Sequence, residues 1–397
     1  MATAKENVIE DNSLGERLRA RIARDGPISF HDWMAAALYD PLGGYYCADR
    51  VRWGRQGDYR TAPEVSPLFA ATFARYFAKL FAEMGSRRPW IIMEVGAGSG
   101  KFARGVMESL AARHSSTFAA TRYLIDEINF ASREGIAKQL SQFRERIDFR
   151  RIDQIAKPIE GVIFSNELLD AFPVHRVIQR EGNWRELFVG LSEAGEFAWI
   201  ENELKHECVA NYVESLDRSF SEGQIIEVNL DAEDWLGRAS AALERGLVIS
   251  VDYGAEREDL FGAPDRRKGT LRAFHRHGFA GNILANPGEQ DLTTTVDWSQ
   301  ITKAGERLGL RTTRLERLDQ FLLHEGLLDE LERLAQERPN EVDALRLSTT
   351  AREMIMPDGM AAAFQVLVQE KTIMRGPLDA SSYGARIGQI VDASQVR

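Results

Sequence analysis

The sequence predicts an α/β fold, with a mostly parallel β-sheet that is covered by helices on both faces. Short apolar segments with the length of buried strands alternate with longer segments that have helical periodicity. The first of these core strands is followed by GAGSG at residues 96–100, and such glycines let a strand turn sharply into a helix. Acidic or amide side chains end most of the strands, at the sheet edge where open α/β folds bind ligands.

Apolar periodicity and helix-capping residues locate the individual elements. Predicted strands cover residues 90–95, 122–125, 147–152, 161–165, 247–251 and 364–368. Predicted helices cover residues 14–24, 29–39, 101–113 and the segment between the second and third strands. Ser66 followed by Pro67 begins another helix, because serine caps a helix N-terminus and proline fits its first turn.

The order of these elements divides the chain into three parts. Residues 1–66 form N-terminal helices and a substrate-side loop, residues 67–370 form the core, and residues 371–397 form a loose tail. Two inserts interrupt the core, at about 172–222 and 255–297, and the first contains a predicted β-hairpin.

The composition argues against several classes of protein. The 397 residues carry a net charge of −10, with 60 acidic and 50 basic residues, which disfavours a nucleic-acid-coating role. Cys47 and Cys208 lie far apart, so neither a disulfide framework nor a cysteine-rich zinc site is expected, and no metal site is predicted. No apolar run approaches the ~20 residues that cross a bilayer. We expect a cytoplasmic protein without a membrane span.

The glycine turn is the first candidate for ligand binding. Its pattern is GxGxG rather than the GxGxxG of nicotinamide-binding folds, and it suits an adenosine that carries a sulfonium-bearing amino acid. The predicted contacts come from Gly96, Ala97, Gly98 and Gly100. Glu94, just before the turn, is placed to meet the ammonium group of such a ligand. The alternative is a strand-to-helix turn that binds nothing.

Acids at the ends of the second and third strands support the binding interpretation. Glu127 is the preferred partner of the ribose hydroxyls, and Asp126 is the alternative. Adjacent side chains leave a strand on opposite faces, so only one of these two acids is expected to point at the ligand. Asp153, at the end of the third strand, is placed to accept from the adenine amino group. The alternative for Asp153 is an ordinary loop or helix-capping residue.

The fourth strand ends in the residues that carry the chemistry. Asn166, Glu167 and Asp170 lie at the carboxyl edge, where a transferable methyl group would also lie. Asn166 is predicted both to bind the cofactor and to take part in catalysis. Carboxylates bind a guanidinium through paired hydrogen bonds and accept the proton lost when its nitrogen is alkylated. The alternative is a helix N-terminus whose acids interact with the helix dipole.

Several longer motifs resemble those of the MidA family of methyltransferases. The matching segments are PISF at 27–30, YDPLGGYY at 39–46, GDYRTAPEVS at 57–66, NELLDAFPV at 166–174, DYG at 252–254, and the segments around 269–271, 287–293 and 364–367. They run in order from about residue 27 to about residue 370. The set is specific, although no single segment is.

The resemblance implies a class I methyltransferase fold with a seven-stranded, Rossmann-like sheet and S-adenosyl-L-methionine as the methyl donor. The family includes a mitochondrial arginine methyltransferase of respiratory complex I assembly, so the implied acceptor is an arginine, symmetrically dimethylated, on a complex I subunit or similar protein. Asp58 and Glu64, in the second matching segment, are candidates to cover the cofactor and line the acceptor channel. The oligomeric state is left open.

Two other functions stay open at this stage. The first is a methyltransferase that acts on a small molecule or on another protein side chain, since the donor site is better specified than the acceptor site. The second is a non-catalytic assembly factor that retains the fold, although Glu167 and Asp170 speak against it.

Overall fold

The computed structural model describes residues 13–47, 66–275, 278–337, 340–356 and 359–372. The helices, in chain order, are α1 (Leu14–Asp25), α2 (Phe30–Tyr39), α3 (Pro67–Glu83), α4 (Lys101–Arg113), α5 (Ser115–Ala120), α6 (Phe130–Gln139), α7 (Glu207–Glu214), α8 (Leu230–Ala242), α9 (Arg257–Gly262), α10 (Trp298–Arg307), α11 (Leu318–His324), α12 (Leu327–Gln336) and α13 (Glu341–Ile355).

The strands outnumber those predicted, because both inserts are rich in short antiparallel segments. In chain order they are β1 (Ile28–Ser29), β2 (Trp90–Val95), β3 (Thr121–Asp126), β4 (Ile147–Phe149), β5 (Ile159–Asn166), β6 (His175–Arg180), β7 (Asn183–Leu191), β8 (Phe197–Glu203), β9 (Ile225–Val228), β10 (Leu243–Ala255), β11 (Arg272–His275), β12 (Gly278–Phe279), β13 (Asp291–Thr293), β14 (Val296–Asp297), β15 (Arg311–Arg317) and β16 (Phe364–Lys371).

The central sheet has the strand order β15–β16–β10–β5–β2–β3–β4, with the short β14 beside β10. Neighbouring strands from β10 to β4 are parallel, whereas β16 is antiparallel to both of its neighbours. The predicted mostly parallel sheet with helices on both faces is therefore confirmed. The carboxyl ends of β2, β3, β5 and β10 meet at one edge.

Both faces of this sheet are buried, which explains why its strands are continuous apolar runs. On one face α3 and α4 pack aromatic rings against the sheet, and Phe102 stacks on Phe164 with ring centroids 4.3 Å apart. On the other face α8 and α10 cover the sheet with Trp235, Leu236 and Ile301.

The N-terminal helices and the inserts cover the carboxyl edge of the sheet. The first insert forms an antiparallel sheet of order β1–β7–β6–β9, with β8 beside β7, and the second contributes the sheet β12–β11–β13. The Tyr39 hydroxyl at the end of α2 donates to the Ala171 carbonyl at 3.0 Å. The Thr294 N–H, after β13, donates to the Asp170 carbonyl at 2.9 Å. The segment that follows β5 is thus held from two sides.

Candidate active site

The glycine turn connects β2 to α4 through a backbone that favours glycine. Gly96, Gly98 and Gly100 have φ angles of 74°, 58° and 78°, in the left-handed region. A Cβ atom on Gly100 would lie 2.7 Å from Cγ1 of Ile136, so α6 leaves no room for a side chain there. Ala97 is buried, and its carbonyl accepts from the Gly100 N–H at 2.9 Å. The turn forms an open cradle against which a ligand can approach the backbone closely.

Glu94 lies beneath this turn as a buried acid. Its side chain is 4% exposed, and the Tyr123 hydroxyl donates to its Oε2 at 2.7 Å. Burial raises the pKa of Glu94 to about 8, although the tyrosine hydrogen bond opposes that shift. A cationic group of a ligand would favour the ionised form of this carboxylate.

Glu127 and Asp126 leave the end of β3 in different directions. The N–H groups of Gly98 and Asn129 donate to the two carboxylate oxygens of Glu127, each at 2.8 Å. The Ile152 N–H donates to Oδ2 of Asp126 at 2.7 Å, so this acid ties β3 to the turn after β4. Among the described residues, the Glu127 carboxylate bonds the glycine turn, whereas Asp126 contacts it through its backbone carbonyl, which accepts from the Gly96 N–H at 2.8 Å.

Asp153 is not brought to the glycine turn in this structure. The predicted strand 147–152 is shorter, since β4 ends at Phe149 and Asp153 lies in a 3₁₀ turn. Its side chain is 48% exposed and pairs with Arg151 at 3.3 Å. Asp58 and Glu64, the other two candidates away from the strand ends, lie outside the described residues.

Asn166 and Glu167 end β5 in a strained conformation. Glu167 has a φ of 51°, which a non-glycine residue rarely adopts, and this aims its side chain away from the path of the strand. The Asn166 Nδ2 donates to Oε1 of Glu167 at 2.9 Å, while the buried Oδ1 of Asn166 has no hydrogen-bond partner among the described residues. Burial, together with the nearby charges of Asp252 and Asp291, raises the pKa of Glu167 to about 8, although the hydrogen bond from Asn166 opposes that shift.

Asp252, at the carboxyl end of β10, holds the segment that follows Glu167. Its Oδ2 accepts from the N–H groups of Leu168, Leu169 and Asp170 at 3.1, 2.8 and 3.3 Å. The carboxylate is 1% exposed, and burial raises its pKa to about 7 despite these bonds. Sequence reasoning used Asp252 only as part of the DYG motif and missed its positioning role.

The glycine of that motif has a packing reason as well. A Cβ atom on Gly254 would lie 1.8 Å from Nε1 of Trp298 at the start of α10. The indole ring therefore occupies the space that any side chain would need.

Asp170 is the most strongly perturbed acid of this edge. It is 3% exposed, and its Oδ1 has no hydrogen-bond partner in the part of the chain that the structure describes. Burial, together with the charges of Asp252, Glu167 and Asp291, raises its pKa well above the usual range of an aspartate. A buried acid among acids favours a cation beside it.

These acids face a cavity of about 140 Å³, which we call the acceptor pocket. It is lined by Tyr46, Glu167, Asp170, Tyr253, Arg272, Phe274, Asp291, Thr293 and Thr294. The structure thus brings Glu167 and Asp170 together and adds a third carboxylate, Asp291, whose Oδ1 accepts from the Tyr46 hydroxyl at 2.7 Å. The Arg272 guanidinium lies 6.0 Å from the centre of the Tyr253 ring and donates to Oγ1 of Thr295 at 2.9 Å.

Sequence reasoning did not place Asp291, Arg272 or the two tyrosines at the site. They come from the turn after α2, from β10 and from the second insert, and only the fold joins these segments. The available signal was their position inside the matching segments 39–46, 252–254 and 287–293, or, for Arg272, just after 269–271.

Comparison with known proteins agrees with the resemblance. A family profile described as an S-adenosyl-L-methionine-dependent methyltransferase matches residues 72–315. The chain is 26% identical over 391 residues to the mitochondrial protein arginine methyltransferase NDUFAF7 homolog of Drosophila melanogaster, covering 88% of this chain and 86% of that protein. It is 23% identical over 317 residues to the human mitochondrial protein arginine methyltransferase NDUFAF7, covering 73% and 68%.

A solved structure is similar over nearly the whole chain. A crystal structure of a Burkholderia thailandensis protein bound to S-adenosyl-homocysteine has a TM-score of 0.81 at 30% identity, covering 96% of this chain and 97% of that one. The chain therefore belongs to this family of S-adenosyl-L-methionine-dependent methyltransferases. The predicted class I fold, enzyme class and methyl donor are confirmed.

One prediction is wrong. We expected a cytoplasmic protein, but the curated relatives from fly, worm and human are named as mitochondrial proteins. Within the described residues, no helix is long and apolar enough to cross a membrane.

Proposed function

We propose that this methyltransferase transfers methyl groups to arginine side chains of a protein. The observation that carries the proposal is the acceptor pocket, where Glu167, Asp170 and Asp291 converge beside the rings of Tyr46 and Tyr253. The pocket opens at the carboxyl ends of β5 and β10, next to the glycine turn in the parallel sheet. An acceptor bound there lies on the side from which a methyl group can be delivered.

A guanidinium matches this lining better than other acceptors do. It is a planar cation that forms paired hydrogen bonds with carboxylates and stacks on aromatic faces. An uncharged alcohol or carbon acceptor would leave three buried or half-buried acids with Arg272 as the one cation of the described pocket lining. The three acids and Arg272 give the pocket a net charge of −2 when all four groups are ionised. That charge excludes anionic acceptors and leaves room for one more cation.

The raised pKa values favour the same assignment. Burial holds the pKa of Glu167 near 8 and raises that of Asp170, so Glu167 is mostly protonated at neutral pH before a cation arrives. A bound guanidinium favours their ionised forms. Binding of the acceptor therefore shifts these carboxyl groups towards the ionised forms that the reaction needs.

The residues of the cofactor side fit S-adenosyl-L-methionine, which supplies a methyl group on a positively charged sulfur. Glu127 is placed for the ribose hydroxyls beside Gly98, and Glu94 for the ammonium group. The glycine cradle at Gly96 and Gly100 lets the ligand lie against the backbone. Asp153, exposed beside Arg151, stays a prediction for the adenine amino group.

On the acceptor side we assign different tasks to the three residues at the end of β5. Asn166 orients Glu167 through their 2.9 Å hydrogen bond. Glu167 holds the attacking nitrogen and accepts its proton as the N–C bond forms and the bond from carbon to sulfur breaks. Asp170 stabilises the rest of the guanidinium, and Asp252 keeps the 168–170 backbone in place. In the finer form of the proposal, the acceptor protein is a subunit of respiratory complex I and the product is symmetric dimethylarginine.

Labelled S-adenosyl-L-methionine tests the proposal directly. The purified protein is incubated with the respiratory subunits of its own organism, and the methylated products are hydrolysed for amino-acid analysis. We expect label in methylated arginines and none in lysine or in small molecules. Label in another amino acid or in a metabolite would overturn the arginine assignment. Binding of S-adenosyl-homocysteine without any transfer would support a non-catalytic assembly factor instead.

A further inference from the structure

A second cluster of chemically active side chains lies outside the active site, in the first insert. His175 begins β6, Glu186 lies in β7, and His206 precedes the first turn of α7. The Nδ1 atoms of His175 and His206 lie 2.7 and 2.8 Å from the two carboxylate oxygens of Glu186. One potential ligand atom from each residue falls within 4.8 Å of the others. We call these three residues the histidine cluster.

The antiparallel pairing of β6 and β7 brings two members of the cluster together. Val177 is paired with Glu186, and side chains two residues apart on a strand share a face. His175 therefore lies diagonally opposite Glu186 on one face of the insert sheet. His206 reaches the same face from the loop that joins β8 to α7.

Glu186 is an unusual residue to bury in this way. Its side chain is 0% exposed, and among the described residues its carboxylate is bonded by the two histidines alone, with no lysine or arginine beside it. A buried carboxylate is stable only when a cation or several donors compensate its charge. The two histidines direct nitrogen atoms at it from either side.

We propose that the histidine cluster binds a divalent transition-metal ion, with Zn²⁺ as its natural occupant. Two imidazole nitrogens and one carboxylate oxygen are a ligand set that Zn²⁺ prefers, and the absence of a thiolate disfavours Cu⁺. Zn²⁺ bonds of about 2.0–2.2 Å place neighbouring tetrahedral ligands roughly 3.4 Å apart, so small side-chain rotations admit the ion. Water completes the coordination.

The burial pattern gives the ion a path to the site. The side chain of His206 is 43% exposed, whereas those of His175 and Glu186 are 11% and 0% exposed. The ion thus enters past His206, where the fourth, water-filled position also lies. The opposite side is closed by His31, whose ring stacks on His175 with centroids 4.8 Å apart and whose Nε2 lies 3.1 Å from Asp231.

The ion is structural rather than catalytic. It ties the start of α7 to the β6–β7 hairpin, whose apolar face packs on the same helix through Val177, Val209 and Tyr212. His175 follows the active-site residue Asp170 by five positions in the chain, so the ion also anchors the far end of the 166–174 segment. The inference does not depend on the identity of the methyl acceptor.

Metal titration of the full-length protein tests the inference. The chain is stripped with a chelator, exchanged into metal-free buffer at pH 7.5 and titrated with Zn²⁺ by calorimetry, and its melting temperature is followed. We expect about one Zn²⁺ per chain and a higher melting temperature with the metal. His206→Ala, at an exposed position, should weaken binding by at least about 100-fold and abolish the thermal shift. S-adenosyl-homocysteine affinity should not change.

A matched variant separates the cluster from ordinary surface histidines. His324 pairs with Glu316 at 3.0 Å without a third ligand, so His324→Ala should bind Zn²⁺ like the natural chain. Glu186→Gln should also fail to bind Zn²⁺. If this substitution of a buried residue prevents folding, the exposed His206→Ala variant still tests the inference. The inference is overturned if the natural chain binds no Zn²⁺, or if His206→Ala binds it as tightly as His324→Ala does.

Discussion

The two halves of the active site differ in how completely their buried polar side chains are hydrogen-bonded. On the cofactor side, Glu94, Asp126 and Glu127 each accept a hydrogen bond from a buried hydroxyl or a backbone N–H group. On the acceptor side, Glu167 and Asp291 also accept hydrogen bonds, but the buried Oδ1 atoms of Asn166 and Asp170 have no partner within the described part of the chain. The hydrogen bonding of the acceptor side is therefore the less complete of the two.

This difference has a physical meaning. Backbone donors at the ends of β2 and β3 fix the cofactor residues before binding, which lowers the cost of ordering them later. The acceptor acids instead repel one another inside a small cavity, and a bound cation relieves that repulsion without protonation of the acids. We propose that the cofactor side is selective through shape and the acceptor side through charge.

The largest expected effect comes from a substitution that impairs the acceptor side alone. Glu167→Gln keeps the shape of the side chain but removes the proton acceptor, so kcat should fall by roughly 10²–10⁴-fold. The affinity for S-adenosyl-homocysteine, measured by calorimetry, should stay unchanged. Glu181→Gln is the matched control, because Glu181 also has a left-handed φ of 50° but lies at an exposed turn. Equal losses in both variants would remove Glu167 from the mechanism.

The next largest effect is expected from a substitution that impairs cofactor binding alone. Glu127→Gln replaces a charged acceptor of ribose hydroxyls with a neutral one, and the dissociation constant of S-adenosyl-homocysteine should rise about 10–100-fold. Asp126→Asn is the matched control, since the Asp126 carboxylate bonds the Ile152 N–H, and the substitution retains the backbone carbonyl that bonds the glycine turn. If the control weakens binding more than Glu127→Gln does, the ribose partner is Asp126.

A stability measurement sharpens the comparison between the halves. Asp170 has a folded-state pKa above its unfolded value, so its ionisation costs stability as the pH rises above about 4. Asp170→Asn should therefore raise the free energy of unfolding at pH 8 by about 1–2 kcal/mol, and by less at pH 5. Burial also raises the pKa of Asp126, but the Ile152 N–H bond opposes that shift, so Asp126→Asn should raise the free energy of unfolding by less. Denaturant unfolding at both pH values measures this, and a loss of stability in Asp170→Asn would contradict it.

The smallest expected effect is a pH dependence of the acceptor step. With a pKa of about 8, Glu167 is mostly protonated at pH 7, and its ionised fraction rises towards higher pH. Consequently kcat/KM for the acceptor should increase about fivefold from pH 7 to pH 8. The profile of Glu167→Gln should be flat over the same range. A profile that falls in this window would exclude an ionised Glu167 as the base.

Much of the site follows from the chain itself because its residues end strands. Glu94, Glu127 and Glu167 each lie at or just after the end of a strand, and parallel strands bring such ends to one edge. Sequence patterns could not choose firmly between Asp126 and Glu127, since alternation gives opposite faces without saying which face holds the ligand. They also placed Asp153 directly after a strand, whereas β4 ends at Phe149 and Asp153 lies in a 3₁₀ turn.

By itself, the sequence determined the α/β fold, the glycine turn and the acids that end the strands, since these depend on local periodicity and backbone conformation. Tertiary structure alone decided that Asp252 bonds the 168–170 backbone, that Asp291 and two tyrosines close the acceptor pocket, and that His175, Glu186 and His206 meet. Their separation along the chain is the reason. Contacts between distant segments depend on how sheets and inserts pack, and no local pattern of residues encodes that packing.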